Sequence, residues 1–177
     1  LMNSATRILG FKREIKAIEQ LIKQEVSEND FVNLLIQKKG IGVLTAAKIN
    51  TEMIDVRRFI NDDHLASYAG LCLKDKSTGD YNGEKKSNYF NHRLKDVLMT
   101  AVKNFIRFNP ENHLAGYYRN LIKHRKMPVT EARKRAARAF VRTVFKLWTS
   151  INELKYLNDS KEECRMAIVQ SPKYPDT

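Results

Sequence analysis

The sequence predicts a mostly α-helical fold, and three observations support this prediction. Apolar residues recur at spacings of three and four near both ends of the chain, as they do in amphipathic helices. Residues 130–157 keep this pattern without a single glycine or proline. Helical periodicity is lost only between residues 62 and 88, where turn-forming residues follow a short apolar segment. We therefore expect a loop or small β-hairpin at about residues 71–89 and helices elsewhere.

The composition limits the class of protein. Of the 177 residues, 42% are hydrophobic and 29% are charged, which is typical of a soluble globular protein and excludes disordered and fibrous classes. Cys72 and Cys164 form no CxxC motif, so neither a zinc site nor a disulfide framework is indicated, and a cytoplasmic location is expected. No apolar run reaches about 18 residues, so no membrane span is predicted.

The positive charge is concentrated in one part of the chain. The net charge is +12, and Glu131 is the single acid between residues 119 and 150. Ten basic residues occupy the same interval: Arg119, Lys123, Arg125, Lys126, Arg133, Lys134, Arg135, Arg138, Arg142 and Lys146. A solvated helix face is the alternative interpretation, although such faces usually mix both signs. We expect these residues to form one surface that binds nucleic acid with little sequence preference.

The first predicted helix is an amphipathic connector within residues 1–28. Ile8, Phe11, Ile15, Ile18 and Ile22 alternate at spacings of three and four. This spacing fits about two heptads of a coiled coil, through which residues 5–26 could join two copies of the chain. A helix lying on its own domain fits the same spacing equally well.

The next two predicted helices flank a glycine-rich turn. Residues 31–38 and Val43–Met53 are separated by Lys39-Gly40-Ile41-Gly42, which resembles a helix-hairpin-helix element. Glycines permit positive φ and leave backbone N–H groups open to a phosphate, and the second helix would offer its N-terminus to the anion. Lys38, Lys39, Gly40 and Gly42 are therefore candidate DNA contacts. A simple glycine cap between two helices would give the same pattern.

Three further helices are expected after the aperiodic interval, at residues 91–108, 111–124 and 130–157. Residues 29–157 would thus form one helical domain with a long basic C-terminal helix. Residues 158–177 are expected to be a loosely ordered tail.

Few residues have a setting that suggests catalysis. The acids at positions 55, 62 and 63 lie near a helix end and are expected to cap it, and the four histidines are isolated, so no metal site is predicted. Ser77 lies in a basic loop, where Lys74, Lys76, Lys85 and Lys86 could stabilise charge during phosphoryl transfer. Considered without its neighbours, a loop serine is usually a turn or cap residue.

Five sequence blocks in this order resemble a known family. They are residues 34–47 (LLIQKKGIGVLTAA), Arg58-Phe59, residues 65–71 (LASYAGL), Ser77-Thr78-Gly79 and residues 91–98 (NHRLKDVL). The chain is similar over about residues 31–150 to the C-terminal transposase domain of bacterial insertion-sequence transposases related to the pilin-gene invertase. The resemblance implies that Ser77, or Thr78 if the register differs by one, is the serine essential for strand exchange.

The same resemblance implies other parts and partners. Family members carry an N-terminal RuvC-like domain with metal-binding acids, where we expect Mg²⁺, and a coiled-coil connector; no cofactor is expected in this chain. DNA is the implied partner, and some relatives are directed by a structured guide RNA. The candidate DNA contacts are Lys38, Lys39, Gly40, Gly42, Lys85, Lys86, Asn91, Arg93, Lys95, Arg133, Lys134, Arg138 and Arg142.

The chain departs from the family pattern in three respects. Leu73 replaces a proline, Phe90 replaces a glycine before Asn91, and no RuvC-like domain occurs in the 177 residues. We therefore expect a fragment, a truncated gene or a decayed element that binds DNA without cutting it. A non-catalytic DNA- or RNA-binding module and a coiled-coil interaction domain are the alternatives.

Overall fold

The computed structural model describes residues 2–72 and 90–170, with side chains for residues 4–72 and 90–156. Within these ranges, seven α-helices and a 3₁₀ turn at Val56–Arg58 form the chain, and no strand occurs. The helices are α1 (Met2–Glu25), α2 (Asp30–Ile36), α3 (Val43–Met53), α4 (Asp62–Tyr68), α5 (His92–Phe108), α6 (His113–Lys123) and α7 (Val129–Gln170). The mostly helical prediction is confirmed. The predicted loop or hairpin lies almost entirely at residues 73–89, outside the described residues.

Helix α1 presents its apolar stripe to solvent. Ile8, Phe11, Ile15 and Ile18 are each more than half exposed, so these four side chains do not pack closely against the described part of the chain. The interpretation in which this helix lies on its own domain is therefore wrong for these residues. Val26, just after the helix, packs against the core. An oligomer through residues 5–26 remains a prediction.

Helix α4 occupies a region where helical periodicity was not visible in the sequence. Its seven residues make barely two turns, too few to show a period. Asn61 caps the helix by accepting the His64 N–H at 2.9 Å, while Asp62 and Asp63 lie in its first turn. The expected capping role is confirmed for Asp55 alone, which accepts the Arg57 N–H at the start of the 3₁₀ turn. The Arg57 guanidinium also holds the pKa of Asp55 below its usual value.

The core lies where α3, α5 and α7 pack together. Leu35, Ile49, Met53, Leu98, Val102 and Val144 are among its fully buried side chains. Phe31 of α2 stacks on Trp148 of α7 with ring centroids 4.3 Å apart, which fastens α2 to the long helix. Among the described residues, no polar or charged residue is fully buried. The polar chemistry of this part of the chain therefore lies on its surface.

Helix α7 is longer than the sequence predicts. It continues to Gln170, so residues 158–170, which were expected to belong to a loose tail, are helical. The prediction placed the end at a cluster of weak helix formers, Asn158-Asp159-Ser160. Those residues only lower helix propensity, whereas the first residue that breaks a helix beyond this point is Pro172.

Candidate nucleic-acid interface

The turn between α2 and α3 is packed against the end of α5. Gly40 has φ of +93°, and a Cβ at this position would lie 2.8 Å from the Asn104 carbonyl oxygen. The Asn109 side-chain amide donates to the Lys39 carbonyl oxygen at 2.7 Å. Gly40 is thus required by backbone conformation and close packing. The positive φ expected from the sequence is confirmed at Gly40, and a phosphate contact at this glycine stays a prediction.

Gly42, in contrast, faces open space. No atom lies within 4 Å of a Cβ built at this residue, and no side chain caps the N-terminus of α3 that follows it. The first N–H groups of a helix lack partners within the helix, so a phosphate could accept from them here. Lys38 and Lys39 are exposed beside the turn. Lys38, Lys39 and Gly42 therefore retain the exposure expected of a phosphate contact. The helix-hairpin-helix assignment stays a prediction.

A polar stripe runs along one face of α6. Gly116, Arg119, Asn120, Lys123 and His124 recur at spacings that place them on the same side of a helix. They line a shallow depression of about 250 Å³. The glycine leaves room at the N-terminal end of the stripe, and no acid lines the depression. The face is therefore concave, polar and positively charged.

The stripe leads into a cluster of cations that we name the α6 basic end: Lys123, Arg125 and Lys126. All three are exposed, and none has an ion-pair or hydrogen-bond partner for its side chain within the described part of the chain. Cations at the C-terminus of a helix are favourable because they face the negative end of its dipole. The cluster keeps its full charge and can attract a polyanion.

The arginines of α7 are arranged differently. Arg138 pairs with Asp63 at 2.7 Å, and Arg142 pairs with Asp62 at 3.0 Å. The hydrogen bond and charge of Asp62 raise the pKa of Arg142. These two pairs join α7 to the first turn of α4, so Arg138 and Arg142 are not the unneutralised cations that the sequence suggests.

Two other predicted contacts on α7 lack such pairing. Lys134 is exposed and Arg133 is half-buried, and neither has an acidic partner among the residues that the structure describes. The basic residues of 119–146 therefore divide into an unpaired group and a group that is paired with acids. That all of them form one continuous surface stays a prediction.

The predicted contacts at the start of α5 also separate into different roles. Asn91 caps α5 by accepting the Leu94 N–H at 2.9 Å, and its amide donates to Glu52 and to the Tyr68 hydroxyl. The assignment of Asn91 as a DNA contact is therefore revised, because its side chain is engaged within the fold. Arg93 is exposed. The Lys95 ammonium lies 4.4 Å from the centre of the Phe90 ring.

Four candidate residues lie outside the described residues: Ser77, Thr78, Lys85 and Lys86. Among the side chains described, those of residues 4–72 and 90–156, no group of three or more histidine, cysteine or acidic residues is arranged to hold a metal ion. No described helix is long and apolar enough to cross a membrane.

The segment Asn109–Pro110, which joins the α2–α3 turn to α6, was not predicted as part of the site. Asn109 binds the Lys39 carbonyl oxygen, and the guanidinium of Arg119 donates to the carbonyl oxygen of the next residue, Pro110, at 2.6 Å. This corner places the turn and the α6 stripe side by side. Its signal in the sequence was Asn109-Pro110, which indicated only the end of a helix.

Comparison with known proteins relates this region to mobile genetic elements. Residues 32–119, from α2 to the middle of α6, match the sequence model of the Transposase IS116/IS110/IS902 family. Over 115 residues, the chain is 29% identical to the insertion element IS110 uncharacterized 43.6 kDa protein of Streptomyces coelicolor. That alignment covers 64% of this chain and 28% of the relative. No solved structure matches. Together, the family match and the relative support an insertion-sequence transposase domain over this helical region.

Proposed function

We propose that the chain is the C-terminal nucleic-acid-binding part of a DNA transposase or site-specific recombinase. The observation that carries the proposal is a set of five exposed, unpaired cations, Lys38, Lys39 and the three of the α6 basic end, within and next to the segment that matches the transposase family. The chain corresponds to just over a quarter of its relative. That this chain belongs to a complete transposase with catalytic activity is therefore itself a proposal.

The surface suits binding to the phosphate backbone. Lysine and arginine contacts to phosphates position a nucleic acid without reading its bases, so little sequence preference is expected. The Gly42 end of α3 adds N–H groups that could donate hydrogen bonds to a phosphate beside Lys39. The Asn109–Pro110 corner keeps the turn and α6 in a fixed relation, so a backbone could contact both. DNA is the proposed partner, and a guide RNA would present the same phosphates.

Binding should weaken steeply as salt rises. Neutralising phosphates releases counterions, so the logarithm of the affinity falls with the logarithm of salt concentration by about 0.9 for each phosphate contacted on B-DNA. With five unpaired cations available, we expect a slope of about −4 to −5 for a duplex of unrelated sequence. Fluorescence anisotropy between about 50 and 200 mM NaCl measures this. The absence of measurable binding at low salt would overturn the proposal.

We further propose that Ser77 is the nucleophile of strand exchange in the complete enzyme. Its Oγ would attack a backbone phosphorus: a bond forms between the serine oxygen and phosphorus, and the bond to the neighbouring sugar oxygen breaks. The serine proton passes to a base, and the departing sugar oxygen takes up a proton. Acids of a RuvC-like domain would hold a divalent metal ion that supplies further charge stabilisation.

Replacing Ser77 in the complete enzyme should therefore separate chemistry from binding. In a protein that includes a RuvC-like domain, Ser77→Ala should abolish strand exchange and leave DNA affinity within about twofold, since one hydroxyl is lost and no phosphate contact is changed. A plasmid recombination assay and an anisotropy titration measure the two effects. Normal recombination by Ser77→Ala with loss in Thr78→Ala would move the role to Thr78. Normal recombination by both variants would remove the serine proposal.

The exposed stripe of α1 supports a proposal about assembly. Four apolar side chains along one helix are each more than half exposed in the single chain. Pairing two such stripes in a short coiled coil would remove them from water. We propose that residues 5–26 join two copies of the chain.

A further inference from the structure

An exposed aromatic ring lies beside the proposed phosphate-binding turn. Phe108 is the last residue of α5, and it is 57% exposed. One edge of its ring is held against Gly40, because a Cβ at Gly40 would lie 3.1 Å from the Phe108 Cδ2 atom. The ring is thus fixed in place by the turn while more than half of the residue remains open to solvent.

Cationic residues lie close to this ring. The Arg107 guanidinium lies 5.8 Å from the ring centre. The Lys39 backbone carbonyl accepts a hydrogen bond from Asn109, the residue after Phe108, and the Arg119 guanidinium donates to the carbonyl oxygen of Pro110. An apolar ring at the end of a helix would ordinarily gain by burial. Here it is placed among positive side chains, which favours a ligand that has both an apolar face and negative charge.

We propose that Phe108 is a stacking platform for one unpaired nucleobase, with the flanking phosphates on Lys39 and Arg119. The inference rests on the proposed function and specifies its ligand as a nucleic acid with an unpaired base at this corner. Base faces within a duplex are covered by the neighbouring base pairs, so only a single strand, a loop or an extruded base can stack on the ring. Stacking of this kind tolerates any base because each base has a π face. DNA and RNA share this chemistry.

The test compares three fluorescent ligands of equal length on the full chain: single-stranded dT20, a 20-base-pair duplex and a single strand of 20 abasic sites. Phe108→Leu keeps an apolar side chain against Gly40 and removes the aromatic face. It should weaken binding of dT20 by about fivefold or more, as expected for the loss of one stacked base. Binding of the duplex and of the abasic strand should change less than twofold. A matched U20 strand shows whether RNA is held more tightly than DNA.

A second variant gives a direct signal. Phe108→Trp should retain affinity for dT20, and its fluorescence should be quenched on binding the single strand but not the abasic strand. Trp148 is only 7% exposed in the core, so it contributes a constant background. Ile60→Ala, at another exposed apolar residue, is the control and should bind like the wild type.

The possible results separate this inference from the proposed function. If the wild type binds the duplex with a steep salt dependence, and Phe108→Leu binds dT20 as tightly as the wild type, the stacking inference is wrong and the proposed function stands. Equal losses for dT20 and the abasic strand would also overturn it, because the loss would then not involve a base. If the wild type binds none of the three ligands, the proposed function itself fails.

Discussion

Reversing the charge of the α6 basic end should nearly eliminate binding to nucleic acid. The combined variant Lys123→Glu, Arg125→Glu and Lys126→Glu removes three unpaired cations, each able to contact one phosphate. We expect duplex affinity at about 100 mM salt to fall by about 10²–10³-fold and the salt slope to become shallower by about 2.7, which is three times 0.9. Anisotropy titrations at several salt concentrations measure both quantities.

The control for this variant makes the same change of net charge elsewhere. Lys12, Lys16 and Lys23 are exposed on α1, and their combined replacement by glutamate also lowers the net charge by six. If location matters, this control should lose much less affinity and keep the wild-type slope. Equal losses in both variants would mean that net charge alone drives binding. Because glutamate near the end of α6 opposes the helix dipole by about 0.3–1 kcal/mol per residue, circular dichroism should confirm that the α6 variant is folded at the assay temperature.

The pairing of the α7 arginines shows where sequence reasoning stops. The ten-to-one charge imbalance was counted along the chain, and that count is correct. Asp63 and Asp62 lie 75 and 80 positions before their partners Arg138 and Arg142. Local spacing can reveal pairs three or four residues apart on one helix. It carries no signal for pairs made by packing two helices together, so a count along the chain overstates the number of unpaired cations.

Local signals, in contrast, predicted the elements well. The bounds of α3 agree with the prediction because Gly42 lies at its start and its alanines, leucine and methionine favour a helix up to Met53. The capping role of Asn91 is visible in the same way, as an asparagine that directly precedes a periodic segment. The assignment of Asn91 as a DNA contact came from the family resemblance. In the structure the Asn91 side chain caps α5, as the local sequence signal indicates.

The glycines also show that a short sequence pattern does not reveal how distant segments pack. The sequence marked Gly40 and Gly42 equally, but only the first has a positive φ and only the second faces open space. Gly70 drew no attention in the sequence, yet the structure places it at φ of +64° beneath the Phe90 ring. The two residues are separated by an interval of which residues 73–89 lie outside the described part of the chain. Their contact depends on how α4 and α5 pack, which no short pattern encodes.

Replacing Gly70 with alanine should be strongly destabilising. A Cβ at this position would lie 2.5 Å from the Phe90 Cδ2 atom and 2.6 Å from its Cγ atom, too close for the ring to stay where it is. The positive φ costs an L-residue about 1–2 kcal/mol, and overpacking adds about 1–3 kcal/mol. At about 2–4 °C per kcal/mol for a chain of this size, we expect Tm to fall by about 5–15 °C. Thermal unfolding followed by circular dichroism measures the change.

Two further variants show whether the contact with Phe90 is the cause. Gly116→Ala places a Cβ in open space within α6 and should be neutral or raise Tm by about 2 °C, because alanine favours a helix more than glycine does. Adding Phe90→Ala to Gly70→Ala removes the clash but keeps the positive φ, so the double variant should lose less stability than the sum of the two single changes. The backbone hydrogen bond from the Asn91 N–H to the Tyr68 carbonyl oxygen, 2.7 Å long, would still hold the junction. Strictly additive losses would show that the ring and the glycine do not meet in solution, and that Phe90 occupies another position.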